Sequence, residues 1–226
     1  MNNILEGGPK VGLPFTVSAW KRFLNGMTSG DIMVDYFKSF IETLDGMTNI
    51  VIQKRNIFQQ DKEYLFNLFE HDISDEVKYL YNHYSAFNVS WEESFVKIGG
   101  WIEFIPYEKI IEEHKELNEM AECVEEPTGE YDTILIDLKN WYPLFRFPNG
   151  DAFCYDKRNG KVVFFEHEVF DTGINLHGLV IADSIECLLE KWSKVLFLDI
   201  FDWTEGVDEH GINLNMPVYE RVRQLV

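Results

Sequence analysis

The chain has 226 residues, 46% of them hydrophobic and 15% aromatic, and this composition excludes disorder along its whole length. Its 39 acidic and 20 basic side chains give a formal net charge of −19, which disfavours binding to nucleic acid and anionic membranes and favours a basic partner. A second interpretation stays open, in which the acidic charge only maintains solubility.

Cysteine usage and the N-terminal sequence indicate a cytoplasmic protein. The chain has three cysteines, an odd number without CxxC spacing: Cys123, Cys154 and Cys187. This argues against a disulfide framework and against a zinc site. The first residues lack the basic and apolar regions of a secretory signal. We therefore expect reduced thiols, no metal and no membrane segment.

The N-terminal part of the chain predicts two helices. A short helix around Trp20 would end at Gly26, and a second helix would begin with Asp31 as its N-cap and end at Gly46. Apolar residues of the second helix recur at helical spacing: Met33, Phe37, Phe40, Ile41 and Leu44.

The middle of the chain predicts a helical region and a β-hairpin. Residues 58–84 have an interrupted helical pattern, and Ser74 followed by two acids is a good N-cap. Residues 94–105 alternate between the two faces of a strand on both sides of Gly99 and Gly100. Because glycine adopts positive φ at little cost, this pair is predicted to form the hairpin turn.

Pro106 opens a further helix that leads into the most acidic part of the chain. Residues 112–132 contain one lysine, Lys115, and nine acids: Glu112, Glu113, Glu116, Glu119, Glu122, Glu125, Glu126, Glu130 and Asp132. Like charges at helical spacing repel one another, and a basic partner would relieve that repulsion. We predict a partner-binding surface here, while a solvated charged linker is the alternative.

The C-terminal half predicts strands, tight turns and an amphipathic helix. Residues 133–138 and the segment from Trp141 have strand-like sequence. Turn residues mark two reversals: Asn149, Gly150 and Asp151, then Asp156, Asn159 and Gly160. Asp183 and Glu186 predict a capping box, and apolar residues follow at helical spacing: Ile185, Leu188, Leu189, Trp192, Val195 and Leu196.

Together these elements predict one α+β domain, with a mostly antiparallel sheet flanked by helices. Residues 49–52 favour a short strand. We expect residues 1–55 to form a helical extension at one edge, and residues 56–226 to form the main domain with a C-terminal tail.

The sequence shows no catalytic or metal-binding constellation. His167 lies between Glu166 and Glu168, but in a strand these two carboxylates would point away from the histidine, so a shared metal site is not expected. Asp151 and Asp156 are expected to face opposite sides, which disfavours a catalytic pair. No cofactor is expected, and an unrecognised hydrolase that depends on Asp151 stays open as a third possibility.

The three tryptophans of this part of the sequence have two interpretations. Trp101, Trp141 and Trp192 either pack in the core or line a ligand cleft, and their positions on strands and on an amphipathic helix favour the core. Cys154 lies between two aromatic residues with no activating base beside it, which is typical of a core thiol.

The order of these elements resembles the SUKH superfamily, also called the Smi/Knr-type fold. Residues 74–84 are similar to the family's first helix, and Trp101 with the helix after Pro106 is similar to its tryptophan strand and following helix. The other motif positions follow in order: Trp141, Asn149, Gly150, Asp151, Asp156, Gly160, Asp183 and Trp192. The chain departs from the family in its helix start, Ile73 and Ser74 in place of Leu-Pro, and in its long leading segment.

The resemblance implies a function in protein binding. Bacterial SUKH proteins are largely regarded as immunity proteins that neutralise polymorphic toxins, often nucleases, and fungal relatives look like hubs of cell-wall synthesis and signalling. Neither role implies catalysis, so we expect no enzyme activity and mainly structural roles for the motif positions. The leading expectation is an immunity protein that binds a basic toxin in the cytosol, and the alternative is a regulatory scaffold.

Overall fold

The computed structural model describes residues 29–59, 73–122, 132–169 and 175–225. Seven helices lie within these ranges: α1 (Ser29–Gly46), α2 (Asp75–His83), α3 (Tyr107–Glu122), α4 (Asp132–Leu138), α5 (Ile185–Ser193), α6 (Ile200–Trp203) and α7 (Val218–Arg223). The strands are β1 (Ile50–Gln59), β2 (Tyr84–Glu93), β3 (Ile98–Phe104), β4 (Trp141–Arg146), β5 (Ala152–Asp156), β6 (Val162–Phe165), β7 (Val180–Ala182), β8 (Val207–Asp208) and β9 (Gly211–Ile212). None of these helices is long and apolar enough to cross a membrane.

The central element is a seven-stranded sheet in the order β1-β2-β3-β4-β5-β6-β7. Each strand pairs with the next one along the chain, and every pairing is antiparallel. Strands β8 and β9 form a separate two-stranded sheet. The prediction of an α+β fold with a mostly antiparallel sheet flanked by helices is confirmed.

The larger hydrophobic core joins helices α1, α2 and α5 to the sheet. Phe37 of α1 contacts Phe87 of β2 with a ring-centroid distance of 4.3 Å, and stacks on Phe197 at 5.8 Å. Trp192 of α5 packs edge-on against Phe153 of β5 at 5.0 Å. Each such buried aromatic side chain contributes roughly 1.5–3 kcal/mol to folding. The residues of α1 therefore share one core with the rest of the domain.

A smaller core lies under helices α3 and α4. Leu117 of α3 and Leu138 of α4 pack there with Trp141, Cys154 and Phe165 of the sheet. The side chains of β4 to β6 are therefore almost completely buried. This packing fixes the position of α3, whose outer surface carries the acidic residues.

Two predictions about N-terminal helices are wrong in detail. Helix α1 begins at Ser29, so Asp31 lies inside the helix and is not its N-cap. Phe58 belongs to β1, not to a helix, because the strand pairs with β2 along its whole length. The predicted boundary between residues 55 and 56 falls within β1. The predicted helix around Trp20 lies outside the described residues.

The predicted turn at Gly99 and Gly100 is also wrong. Both glycines lie inside β3, and the β2–β3 connection is formed by residues 94–97, with Lys97 at φ 52°. A Cβ atom at Gly100 would lie 2.0 Å from Nε1 of Trp91 and 2.7 Å from the carbonyl oxygen of Leu196. Glycine is required there for close packing, not for a turn.

Residues 133–138 form helix α4 instead of the predicted strand. Ile134 and Leu138, four residues apart, are both buried in the smaller core, whereas Ile136 is exposed. This spacing buries one face of a helix against α3. Tertiary packing has overridden the β-propensity of the isoleucines.

Helix α5 is capped one residue later than predicted. The Ser184 hydroxyl accepts the hydrogen bond from Cys187 N, while the Asp183 carboxylate pairs with Lys161 at 3.0 Å. The predicted capping box of Asp183 and Glu186 is therefore wrong. The helix ends at Ser193, so the buried residues Val195 and Leu196 lie beyond it.

Candidate functional site

Helix α3 divides its residues between a buried face and an acidic face. Its buried residues recur at helical spacing and pack on the sheet: Tyr107, Ile110, Leu117 and Ala121. Four glutamates lie exposed away from them: Glu112, Glu116, Glu119 and Glu122. We call these four residues the acidic face of α3. Burial of the apolar side fixes which side chains face solvent.

Two glutamates of α3 have cationic partners. Glu119 pairs with Lys115 at 2.9 Å, one turn earlier on the helix. Glu113, one of the nine predicted interface acids, is mostly buried and forms an ion pair with Arg146 of β4. Within the described ranges, no cation lies within ion-pair distance of Glu112, Glu116 or Glu122. Within these ranges, three of the four glutamates of the acidic face therefore have no ion-pair partner.

The side chains of the other four predicted interface residues are not described. Glu125, Glu126 and Glu130 lie outside the described residues. Asp132 is the first residue of α4, and its side chain is likewise not described. The site is therefore built from α3 and its neighbours.

A groove of about 410 Å³ runs beside the acidic face, between α3 and the β4–β5 connection. Glu113, Glu116 and Met120 form its α3 side, Arg146 lines it from β4, and His167 lines it from the turn after β6. The rest of the lining is largely apolar: Leu117, Pro143, Phe147, Pro148, Gly150, Ala152 and Phe165. The groove thus places an apolar surface beside the exposed Glu116 carboxylate, an arrangement that suits a long cationic side chain.

The Asn149-Gly150-Asp151 turn forms one end of this groove. The Asp151 carboxylate accepts hydrogen bonds from the side-chain amide of Asn149 at 2.7 Å and from the backbone amide of His167 at 2.9 Å. Gly150 adopts φ 97°, and a Cβ atom there would lie 3.1 Å from Cγ of His167. The predicted turn is confirmed; within it the Asn149 side chain accepts from Asp151 N at 3.1 Å, and the Asp151 carboxylate ties the turn to His167.

His167 departs from its predicted setting because it follows β6 in a turn, not in a strand. Its Nδ1 lies 2.8 Å from Asp151, and its Nε2 lies 3.5 Å from the Glu168 carboxylate. The expectation that Glu168 points away from His167 is therefore wrong. The described residues contain no group of three metal-ligand side chains, and no Ser, Thr or Cys lines the groove within them.

Asp156 has a separate set of partners at the β5–β6 hairpin. The Arg158 side chain donates hydrogen bonds to Asp156 at 2.6 Å and to Asp137 of α4 at 2.7 Å. Burial acts to raise the pKa of Asp156, but the hydrogen bonds from Arg158 outweigh it and lower the pKa. Asp151 and Asp156 therefore share no site, and Arg158 fastens α4 to the hairpin by bridging Asp137 and Asp156.

Two of the three singled-out tryptophans lie in the core, as expected. Trp141 and Trp192 are fully buried, and Nε1 of Trp192 donates to Leu198 O at 2.9 Å. Trp101 is half-buried; its Nε1 donates to Arg146 O at 3.0 Å, and the Lys54 ammonium lies 5.4 Å from its ring centroid. Trp101 thus fixes the backbone of Arg146, which lines the groove.

The described cysteines are free thiols. Cys154 is completely buried in the smaller core, and this burial raises the pKa of its thiol well above the ordinary value. Cys187 is partly buried on α5. Cys154 is therefore a packing residue, as predicted, because the thiolate form is disfavoured.

No protein-family model, curated protein or solved structure matches this chain. The function is therefore argued from the acidic face of α3 and the groove beside it.

Proposed function

We propose that this protein is an immunity protein of the SUKH type, which binds a basic toxin in the cytosol of the producing cell and blocks it. The observation that carries the proposal is the acidic face of α3, fixed on the sheet beside a groove whose lining is partly apolar. Binding, not catalysis, is the proposed activity.

Electrostatics favours a nuclease as the toxin. A nuclease needs basic side chains to hold phosphate groups, and its active-site surface is therefore complementary to an acidic face. The net charge of −19 extends this attraction beyond direct contact. Complementary charge accelerates association and fixes the orientation of the complex more than it raises affinity.

The element order supports the SUKH hypothesis. Helix α2 has Ser74 as its N-cap, Trp101 lies on β3, and α3 follows Pro106 directly. Strands β4 to β6 then carry the two predicted turns, and α5 follows β7. Two of the motif positions make contacts that suit a structural role, since the Asp151 carboxylate accepts from Asn149 in its turn and Asp156 accepts from Arg158.

Co-expression with a neighbouring gene tests the proposal. A toxin domain encoded beside this gene should arrest growth alone, and co-expression of this protein should restore growth and yield a complex that copurifies. Failure of the wild-type protein to bind or protect would contradict the proposal. A neighbouring gene for cell-wall synthesis or signalling would favour the regulatory scaffold instead.

The hydrolase alternative is tested separately with Asp151→Asn, which keeps a hydrogen-bonding side chain in the turn. A broad hydrolase screen should give no turnover for either wild type or variant. Turnover by the wild-type protein that Asp151→Asn abolishes, with unchanged thermal unfolding, would show that the protein is an enzyme.

A further inference from the structure

A second groove, of about 440 Å³, lies at another part of the molecule, between the β2–β3 turn and helix α6. Two exposed phenylalanines lie on the two elements that form it. Phe201 lines the groove and is 72% exposed, and Phe95, which is 92% exposed, lies between the lining residues Ser94 and Lys97. They are the most exposed large hydrophobic side chains in the described ranges. We call this surface the Phe95–Phe201 groove.

The backbone holds both phenylalanines in place. Asp199 N donates to Gly99 O at 3.1 Å, and Gly99 N donates to the Asp202 carboxylate at 3.3 Å, so the start of β3 is tied to α6. In α6, Ile200 and Trp203 are buried, and helical geometry therefore directs Phe201 to solvent. Exposed apolar side chains beside polar residues on an ordered backbone are typical of protein-binding surfaces.

A hydrogen bond to a buried carboxylate also orders the turn that carries Phe95. Val96 N donates at 2.7 Å to the carboxylate of Glu93, a residue that is almost fully buried. This hydrogen bond fixes the backbone next to Phe95. The aromatic side chain is therefore presented by an ordered turn, which lowers the entropy cost of binding.

The charges of the groove indicate what it binds. Glu92, Asp199 and Asp202 line it together with one cation, Lys97. Asp202 pairs with Arg221 at 3.1 Å, but Asp199 accepts hydrogen bonds from backbone amides and has no cationic partner among the described residues. Burial, and then the charge of Asp202, raise the pKa of Asp199. A cation at Asp199 would offset this cost.

We propose that the Phe95–Phe201 groove is a second docking surface, which takes an arginine side chain with apolar neighbours from a basic protein partner. The guanidinium group pairs with the Asp199 carboxylate and lies against the Phe201 ring, a contact that aromatic faces favour. The apolar neighbours of the arginine cover Phe95 and Phe201. This surface does not depend on the immunity proposal, since its evidence is separate from α3.

Amide NMR on the full chain tests the proposal with a defined probe, the peptide acetyl-Leu-Arg-Leu-amide. Its matched control carries citrulline, which is neutral and nearly isosteric, in place of arginine. We expect saturable shifts at the amides of Gly99, Gly100, Phe201 and Asp202. The arginine peptide should bind about tenfold more tightly than the citrulline peptide, as expected for one charged hydrogen-bonded pair.

Two variants complete the test. Asp199→Asn keeps the capping acceptor for Phe201 N but removes the charge, and it should abolish the preference for arginine. Asp183→Asn, at an exposed carboxylate paired with Lys161, should leave that preference unchanged. Equal binding of both peptides, a preference that persists in Asp199→Asn, or shifts confined to α3 would overturn the proposal. The last result would still leave the acidic face of α3 as an interface.

Discussion

Nε1 of Trp91 donates a 2.8 Å hydrogen bond to the carbonyl oxygen of Leu196, which lies 105 residues further along the chain. The bond is buried, and it joins β2 to the connection that follows α5. Leu196 and Phe197 both have positive φ, at 53° and 52°, and Phe197 O also accepts a 2.8 Å hydrogen bond from Trp101 N. These hydrogen bonds hold an otherwise unfavourable backbone conformation in place.

Gly100→Ala is predicted to disrupt this junction. The new methyl group would overlap both the Trp91 ring and the Leu196 carbonyl group, so the hydrogen bond could not form in its present geometry. We expect a loss of about 2–4 kcal/mol in the free energy of unfolding, measured by urea denaturation. Gly46→Ala is the control, because no atom lies within 4 Å of its added Cβ. Equal stability of Gly100→Ala and wild type would refute the proposed close packing.

Arg158→Leu is predicted to destabilise the domain by leaving the buried Asp156 carboxylate without its cationic partner. Loss of hydrogen bonds to a charged group costs about 2 kcal/mol at neutral pH. Lys194→Ala is the control, since its pair with Glu190 is exposed on α5 and should matter little. Chemical denaturation of the wild type and the two variants compares their free energies of unfolding. An Arg158→Leu variant that is as stable as the wild type would contradict the role assigned to this pair.

The effect of Arg158→Leu should depend on pH. In the wild type the pKa of Asp156 is lowered from its model-compound value of 3.8. Its contribution to stability is therefore complete above that value and is lost as the pH falls through the lowered pKa. The stability difference between wild type and Arg158→Leu should shrink on acidification. A difference that stays constant down to pH 2 would exclude this explanation.

Ser184→Ala is predicted to cost about 1 kcal/mol, because it removes the acceptor for Cys187 N at the start of α5. Asp183→Ala should have a much smaller effect, since its carboxylate is exposed and pairs only with Lys161 at the surface. Thermal unfolding of both variants measures the difference. The reverse order of stabilities would restore the capping box that the sequence predicted at Asp183.

Local patterns predicted the class of fold and several of its turns. Ser74 caps α2, Gly150 and Gly160 adopt positive φ, and α3 follows Pro106, because each depends on residues close in the sequence. The turn predicted at Gly99 and Gly100 was wrong because Gly100 is required by the Trp91 ring on the neighbouring strand and by Leu196, which is distant in the chain. The helix α4 was missed for the same reason, since its burial depends on α3.

The candidate site was predicted in part. The acidic face follows from charge and helical spacing, both of which are visible in the sequence. The inward position of Glu113 follows from its helical spacing to Ile110 and Leu117, but its partner Arg146 could not be predicted, because it lies 33 positions later on another element. The contact between His167 and Asp151 could likewise not be predicted from the sequence, because it joins the turn after β6 to the β4–β5 turn. The Phe95–Phe201 groove also requires the fold, because α6 and the β2–β3 turn are far apart in sequence.

The central claim is that the acidic face of α3 binds a basic partner, and association kinetics test it most directly. The partner is the toxin domain encoded beside this gene, made inactive by substitution. The test variant reverses four charges on α3 with Glu112→Lys, Glu116→Lys, Glu119→Lys and Glu122→Lys. The control reverses four exposed glutamates elsewhere and has the same net charge: Glu42→Lys, Glu190→Lys, Glu209→Lys and Glu220→Lys.

Stopped-flow association rates across a salt series compare the two variants with wild type. The wild-type rate should fall steeply as salt increases, and the control should keep most of that rate and its salt dependence. The α3 variant should associate at least about tenfold more slowly at low salt, with a nearly flat salt dependence. Equal slowing of both variants, or a wild-type rate for the α3 variant, would contradict the claim.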